Sequence, residues 1–273
     1  MSTAIATATA DRSSSPATPR GFRARLYARE AKYELLKVLR VPAYVLPTLA
    51  FPCVFYIFFG VIFGRQGMGP ISMGAYMIAT FGAFGVIGAS LFGFGVGVAT
   101  ERGQGWMLVK RATPMPLSAY FLAKTLVSVL FGAAIVLLLS VLGYTLGGVR
   151  IEPLTWLGLA AALVVGAIPF CAFGLVLGYL AGPNSAPAIV NLVYLPMSFC
   201  SGLWMPVQIL PPFLKRLALF LPPYHFGQLA LGWLGADEGG SPLGHVAFLA
   251  VFTLICLAAA RWAYLRDEGK TYG

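Results

Sequence analysis

The chain has 273 residues, of which 59% are hydrophobic and only 10% are charged, and its formal net charge is +10. This apolar content excludes an ordinary soluble domain and indicates an integral membrane protein. The positive charge does not indicate nucleic acid, because the basic residues flank apolar segments and form no patch interleaved with stacking aromatics.

Six apolar segments predict six transmembrane helices and an all-α integral membrane protein. Each segment is near or above the ~20 residues that a helix needs to cross a bilayer. Each is also continuously apolar, whereas barrel strands would alternate. We place the spans at residues 43–63, 74–98, 119–146, 154–180, 185–204 and 243–263. A seventh span at 204–221 is rejected, because it would bury Lys215, Arg216 and the flanking proline pairs in hydrocarbon.

The distribution of basic residues predicts the orientation. Fifteen of the 19 Lys and Arg residues lie before span 1, at or after the end of span 6, or at or near the connection between spans 2 and 3. Because positive charge collects on the cytoplasmic side, both the N and the C terminus are predicted to be cytoplasmic.

The chain before span 1 has two parts. Residues 1–20 are rich in Ala, Ser, Thr and Pro and are expected to form a disordered cytoplasmic tail, which leaves residues 21–273 as one membrane domain. From Phe22 to Arg40, apolar residues recur at helical spacing among basic ones. This pattern predicts an amphipathic N-terminal helix on the inner membrane surface.

The membrane interior is predicted to hold no ionisable group at mid-depth. Lys124, His245 and Arg261 lie near span ends, where long side chains reach headgroups. An ion-coupled carrier or an intramembrane enzyme would need such groups deeper. The chain also lacks a phosphate-binding loop, so the energy for any transport is expected from another polypeptide. His225 and His245 are treated as isolated, and no metal site is predicted.

The connection after span 2 predicts a short cytoplasmic helix over residues 101–114. Thr100 is a candidate N-cap beside Glu101, whose charge suits a helix N-terminus, and Pro114 ends the helix. Trp106 and Leu108 lie near its middle. Such a helix either rests on lipid or docks a partner protein.

The segment after span 5 predicts an extracytoplasmic re-entrant hairpin before span 6. Its apolar stretch is bounded by proline pairs too closely spaced to cross a bilayer, so it is expected to fold back into the outer leaflet. Irregular backbone at membrane depth must be covered by protein or water, so this hairpin is expected to pack over a cavity, near its exit. Its defining residues are Gly202, Pro206, Leu210, Pro211 and Pro222.

The order of these features resembles the permease family of ABC-2 type transporters. The resemblance covers residues 21–273. Besides the outer segment, the matching positions are Glu101, Arg102, Gly103, Pro116 and Lys124. The usual family loop has glutamate, a basic residue, two variable residues and glycine, and Gly105 supplies that last glycine. Gly103 is an additional glycine and a departure from this pattern.

The resemblance implies an exporter in which two permeases, identical or homologous, form a dimer. Each would engage a separate ABC ATP-binding subunit, and that subunit would bind ATP and Mg. This chain itself is therefore expected to have no enzymatic activity and to bind no cofactor. The implied coupling residues are Glu101, Arg102, Gly105, Trp106, Leu108 and Pro114, and the implied clamp residues on the surface helix are Arg29, Lys32 and Glu34. The implied location is a bacterial cytoplasmic (inner) membrane, with membrane lipids as further partners.

Spans 2 and 5 are expected to line the substrate path. The candidate residues are Phe84, Phe94, Asn191, Tyr194, Ser198 and Phe199. An apolar interior with hydroxyls and aromatic rings but no fixed charge suits a hydrophobic or amphipathic cargo, such as a drug, an antibiotic or a lipid-like molecule. An exporter of polysaccharide or lipid-linked glycan, an ion-coupled secondary carrier and a structural membrane protein stay open as alternatives.

Overall fold

The computed structural model describes residues 20–62, 67–68, 71–107 and 116–267. The predicted tail at 1–20 lies outside this range except for its last residue. Leu108 and Pro114 of the predicted coupling helix also lie outside the described residues.

Helices form most of the described chain. They are α1 (Arg20–Leu39), α2 (Pro42–Phe55), α3 (Met73–Leu91), α4 (Gly97–Gly103), α5 (Leu117–Thr145), α6 (Pro153–Val165), α7 (Ala167–Leu180), α8 (Ala186–Cys200), α9 (Pro212–Ala218), α10 (Pro222–Gly232) and α11 (Pro242–Asp267). A π-helical turn, Tyr56–Val61, extends α2, and another, Phe92–Val96, joins α3 to α4. A short antiparallel hairpin between two helices pairs β1 (Gly67–Met68) with β2 (Ile71–Ser72).

Five helical segments of the described chain are long and apolar enough to cross a bilayer. They are Pro42–Val61, Met73–Gly103, Ser118–Thr145, Pro153–Leu180 and Pro242–Arg266, at the positions of predicted spans 1, 2, 3, 4 and 6. The predicted fifth span is shorter than expected, because α8 has only 15 residues. At 1.5 Å per residue α8 is about 22 Å long, less than the ~30 Å hydrocarbon core.

The span 2 helix is the centre of the bundle. Every residue from Gly74 to Leu91 is buried, as expected for a helix that is apolar on all sides. Small residues allow its neighbours to approach closely. A Cβ at Gly85 would lie 2.7 Å from Ile135 Cγ2 and 2.8 Å from Pro52 Cγ. Glycine at this position therefore lets α2, α3 and α5 meet.

The end of span 2 corrects the predicted start of the inner-loop helix. The helix continues past residue 98 to Gly103, so Thr100 lies within its last turns and is not an N-cap. The reversal comes later, at Gly105, whose φ of +74° favours glycine. Glu101 and Arg102 consequently belong to the membrane helix and face the inside of the bundle, where both are buried.

The segment after α8 folds back on the bundle as short helices. Gly202, with φ +79°, ends the turn after α8, and Pro206 precedes the 3-10 turn Val207–Ile209. Pro211 and Pro222 stand at the starts of α9 and α10. Leu210 is buried between these elements. Most of α10 is buried against α3 and α11, and its depth in the membrane stays a prediction.

Candidate coupling site at the inner face

Four charged side chains and one tyrosine join α1 to the ends of α4 and α5. We call this group the inner charge cluster: Glu34, Lys37, Glu101, Tyr120 and Lys124. Lys124 Nζ donates to Glu34 Oε1 at 2.7 Å and to Glu101 Oε1 at 2.9 Å. Lys37 Nζ contacts Glu34 Oε2 at 2.5 Å and also Glu101 Oε1. The Tyr120 hydroxyl donates to Glu101 Oε2 at 2.6 Å.

The inner charge cluster is desolvated and electrically balanced. Glu34, Glu101 and Lys124 are 6%, 8% and 4% exposed, whereas the Lys37 side chain is 46% exposed. Its two carboxylates and two ammonium groups carry no net charge, which limits the cost of burying ions. Burial by itself would lower the pKa of Lys37, but the Glu101 and Glu34 carboxylates raise it above its ordinary value. Lys37 is therefore charged at physiological pH.

Helical spacing explains how the cluster forms. Glu34 and Lys37 are three residues apart on α1, and Tyr120 and Lys124 are four apart on α5, so each pair shares a helix face. Glu101 projects between them from α4. The prediction that Lys124 reaches the headgroups was wrong, because these carboxylates bind its ammonium inside the protein. The sequence analysis did not assign Lys37, Tyr120 or Lys124 to a site. Their three- and four-residue spacings were the sequence feature that indicated a shared helix face.

Arg102 ties span 2 to α7. Its Nη1 donates to the carbonyl oxygens of Gly178 at 2.6 Å and Tyr179 at 3.0 Å. These carbonyls belong to the last turn of α7, where helical partners are missing and positive charge is favourable. The guanidinium carbon also lies 5.2 Å from the centre of the Tyr179 ring. Glu101 and Arg102, adjacent in sequence, thus connect span 2 to different neighbours.

The residues predicted to contact the ATPase lie at two depths. Glu101 and Arg102 are buried and bound within the chain, whereas Trp106 is 54% exposed. Gly105 turns the backbone between them.

The predicted clamp residues of α1 divide in the same way. Arg29 and Lys32 are exposed, and Glu34 is buried in the inner charge cluster. Arg29, Lys32 and Trp106 are therefore accessible at the protein surface, whereas Glu34 is not.

A cavity of about 570 Å³ lies between α2, α3 and α8 and contains three of the predicted path residues. Phe84, Asn191 and Tyr194 line it. The Tyr194 hydroxyl donates to the Phe84 carbonyl at 2.8 Å, and the two rings stack with centroids 4.7 Å apart. Tyr44 and Phe92 line both this cavity and one of about 310 Å³ beside the inner charge cluster. The two cavities are therefore adjacent.

The other predicted path residues lie elsewhere. Phe94 lines a groove on another side of span 2. Ser198 is fully buried, and its hydroxyl has no hydrogen-bond partner among the described residues. Phe199 packs with its ring centroid 6.2 Å from that of Trp204. Ser201 Oγ and Trp204 Nε1 are also buried without a partner in the described chain.

The structure also brings together the two histidines that the sequence reasoning treated as isolated. Their Nδ1 atoms are 2.8 Å apart, and His225 Nε2 lies 3.0 Å from the Leu219 carbonyl oxygen. A carbonyl can only accept, so His225 Nε2 carries a proton. In the neutral pair His245 Nδ1 therefore donates to His225 Nδ1. This contact joins α10 to α11, and the separation of 20 residues hid it in the sequence.

These features define a multi-pass helical membrane protein with a buried ionic connection between α1, α4 and α5 and cavities between its helices. The chain matches the family model described as "ABC-2 type transporter" over residues 29–234, and it belongs to that family. It is also similar to a Bacillus subtilis (strain 168) protein named "Putative transport permease YvfS". The two are 28% identical over 227 residues, which cover 81% of this chain and 91% of that protein. The predicted family is confirmed, and the matched range includes the whole inner charge cluster.

Proposed function

We propose that this chain is the membrane subunit of an ATP-driven exporter, powered by a separate ABC ATP-binding subunit that carries the ATP and Mg. Family membership supports a transport permease. The observation that carries the coupling role is the inner charge cluster, whose ion pairs join α1 to two membrane helices.

The coupling follows from this connection. A partner that moves α1 displaces Glu34, which shares Lys124 with Glu101. Ion pairs are strong when their groups are desolvated, so α1, α4 and α5 are expected to move together rather than slide apart. Arg102 extends the unit to α7. Work done on the exposed surface at Arg29, Lys32 and Trp106 would thereby reach the helices that bound the cavities.

The membrane arrangement in this proposal has six segments and both termini in the cytoplasm. The five long helices supply five crossings, and α8, although short, supplies the sixth. A second permease would complete the transport unit beside α8, where Leu192 is 74% exposed and Asn191 is also exposed. The predicted bacterial inner membrane and the dimer are parts of this proposal.

The cargo in this proposal is hydrophobic or amphipathic. None of the described residues that line the cavity between α2, α3 and α8 is charged. Its aromatic walls and the single Asn191 amide suit an apolar molecule with a few polar groups, such as a drug, an antibiotic or a lipid-like compound. The same rings would also suit sugar stacking, so a polysaccharide or lipid-linked glycan is the second candidate.

Reconstitution tests the ATP-driven role. The chain is co-expressed with the phosphate-loop ATPase encoded nearest to it, purified through a tag on the chain, and placed in proteoliposomes with a hydrophobic dye. We expect the ATPase to co-purify and the dye to move only with ATP. Trp106→Ala should weaken ATPase retention, while Arg150→Ala, a change of an exposed residue far along the chain, should not. Dye movement by the permease without an ATP-hydrolysing subunit would contradict the proposal.

A further inference from the structure

A groove of about 400 Å³ lies between α5, α7 and α11, and none of its described lining residues also lines the cavity proposed for cargo. It is open to the side, because Ile168 and Leu257 are each 47% exposed. Its threonines do not make it polar, since Thr125 Oγ1 donates to the Phe121 carbonyl at 2.9 Å and Thr253 Oγ1 to the Leu249 carbonyl at 2.7 Å. Most of the groove therefore offers only hydrocarbon contacts.

The length of the groove matches one leaflet of a bilayer. Its lining runs from Ile168 to Tyr179 on α7 and from Thr253 to Tyr264 on α11. Eleven residues separate the ends of each stripe, which is about 16 Å at 1.5 Å per residue. Half of the ~30 Å hydrocarbon core is about 15 Å. The Tyr179 and Tyr264 rings are in contact, with centroids 5.7 Å apart, so both stripes end at the same level.

One cation stands at that tyrosine end. Among the residues that the structure describes, Arg261 is the single charged one that lines the groove, and it is exposed. Within the described part of the chain it forms no ion pair. Arg266, on the same helix, instead stacks on Trp262 with its guanidinium carbon 4.0 Å from the ring centre, and it does not line the groove. An apolar groove that ends at a single cation fits an apolar chain with an anionic end.

We propose that this groove binds an acyl chain of an anionic phospholipid, with the lipid phosphate at Arg261. Charge attraction to Arg261 selects the anionic headgroup, and the apolar stripe holds the chain. The lipid comes from the cytoplasmic leaflet, an assignment that rests on the orientation in the proposed function. The bound chain would lie against α7, whose last carbonyls hold Arg102 of span 2.

Native mass spectrometry of the delipidated protein tests this site. The protein is titrated with phosphatidylglycerol and, separately, with zwitterionic phosphatidylcholine of the same chain length. We expect tighter binding of phosphatidylglycerol. Arg261→Ala should weaken that binding about five- to tenfold without changing phosphatidylcholine binding. The matched control Arg266→Ala should change neither, and Leu257→Trp, a change at a half-exposed position, should fill the groove and weaken both.

Three results would overturn the site. Equal losses with Arg261→Ala and Arg266→Ala would indicate diffuse surface charge, and equal affinity for the two lipids would exclude headgroup recognition. Efficient disulfide cross-linking of Leu257→Cys between copies, in a background without native cysteines, would show that a second copy covers the groove. The titration needs neither ATPase nor cargo. Failure of the export proposal would therefore not change the lipid-binding result. Failure of lipid binding would likewise leave the export proposal unaffected.

Discussion

Replacing Lys124 by methionine is the most direct test of the inner charge cluster. Methionine keeps the length and apolar stem of the side chain and removes the ammonium group. That group lies 2.7 Å from Glu34 and 2.9 Å from Glu101. The variant therefore leaves two buried carboxylates with Lys37 as their remaining cation in the cluster.

The cost can be estimated from burial. The Lys124 side chain is 3% exposed, and removing one partner of a buried ion pair costs about 3–5 kcal/mol. A change of 1 kcal/mol moves the melting temperature of a domain of this size class by about 2–4 °C, so we expect a loss of about 6–20 °C.

Thermal unfolding in detergent measures this loss. Glu34→Gln combined with Lys124→Met restores the charge balance, so the double variant should be more stable than the sum of its single changes predicts. Lys215→Met is the control, because Lys215 is exposed and its ammonium donates to the Gln208 carbonyl outside the cluster. A melting temperature unchanged by Lys124→Met, or strictly additive effects in the double variant, would refute the reasoning.

Three further changes probe other contacts. Arg102→Met should lower stability by about 1.5–3 kcal/mol, because the α7 carbonyls lose a charged donor, and Arg102→Lys should recover part of that loss in the same melting assay. Burial lowers the pKa of His225, against the opposing effect of its hydrogen bond to the Leu219 carbonyl, and the neighbouring His245 lowers it further. The folded state therefore binds fewer protons than the unfolded chain. The melting temperature should accordingly fall as pH drops below about 6.5, and His225→Phe should flatten this dependence; a wild-type curve that is level from pH 7.5 to 5.5 would contradict it. Asn191→Leu should leave the melting temperature unchanged, since the amide is exposed, but alter the rate of ATP-dependent dye transport in proteoliposomes. An unaltered rate would remove Asn191 from the path.

The positions of most membrane helices could be predicted from the sequence, whereas their ends could not. Continuous apolar runs located the five long spans, because crossing lipid requires such runs. The end of span 2 was misplaced, because Thr100 and Glu101 form a plausible N-cap sequence whether or not the preceding helix has stopped. The backbone continued until Gly105 supplied a left-handed residue.

The candidate site was only partly predictable. Family resemblance singled out Glu101 and Arg102, and the structure shows both bound inside the chain rather than exposed to a partner. The partners of Glu101 come from positions 64 residues before it and 19 and 23 residues after it. Local spacing predicts pairs on one helix, such as Glu34 and Lys37, but it does not predict which helices pack together.

The sequence by itself determined that this chain is a helical membrane protein, because long apolar segments can cross a bilayer only as helices. The order of its sequence features also identified the ABC-2 type transporter family. Only the tertiary structure decided that Lys124 lies buried between two carboxylates, that the two histidines meet, and that Arg261 ends an apolar groove. These features depend on distances between helices remote in sequence. Burial and pairing, rather than residue type, then determine what each charge can do.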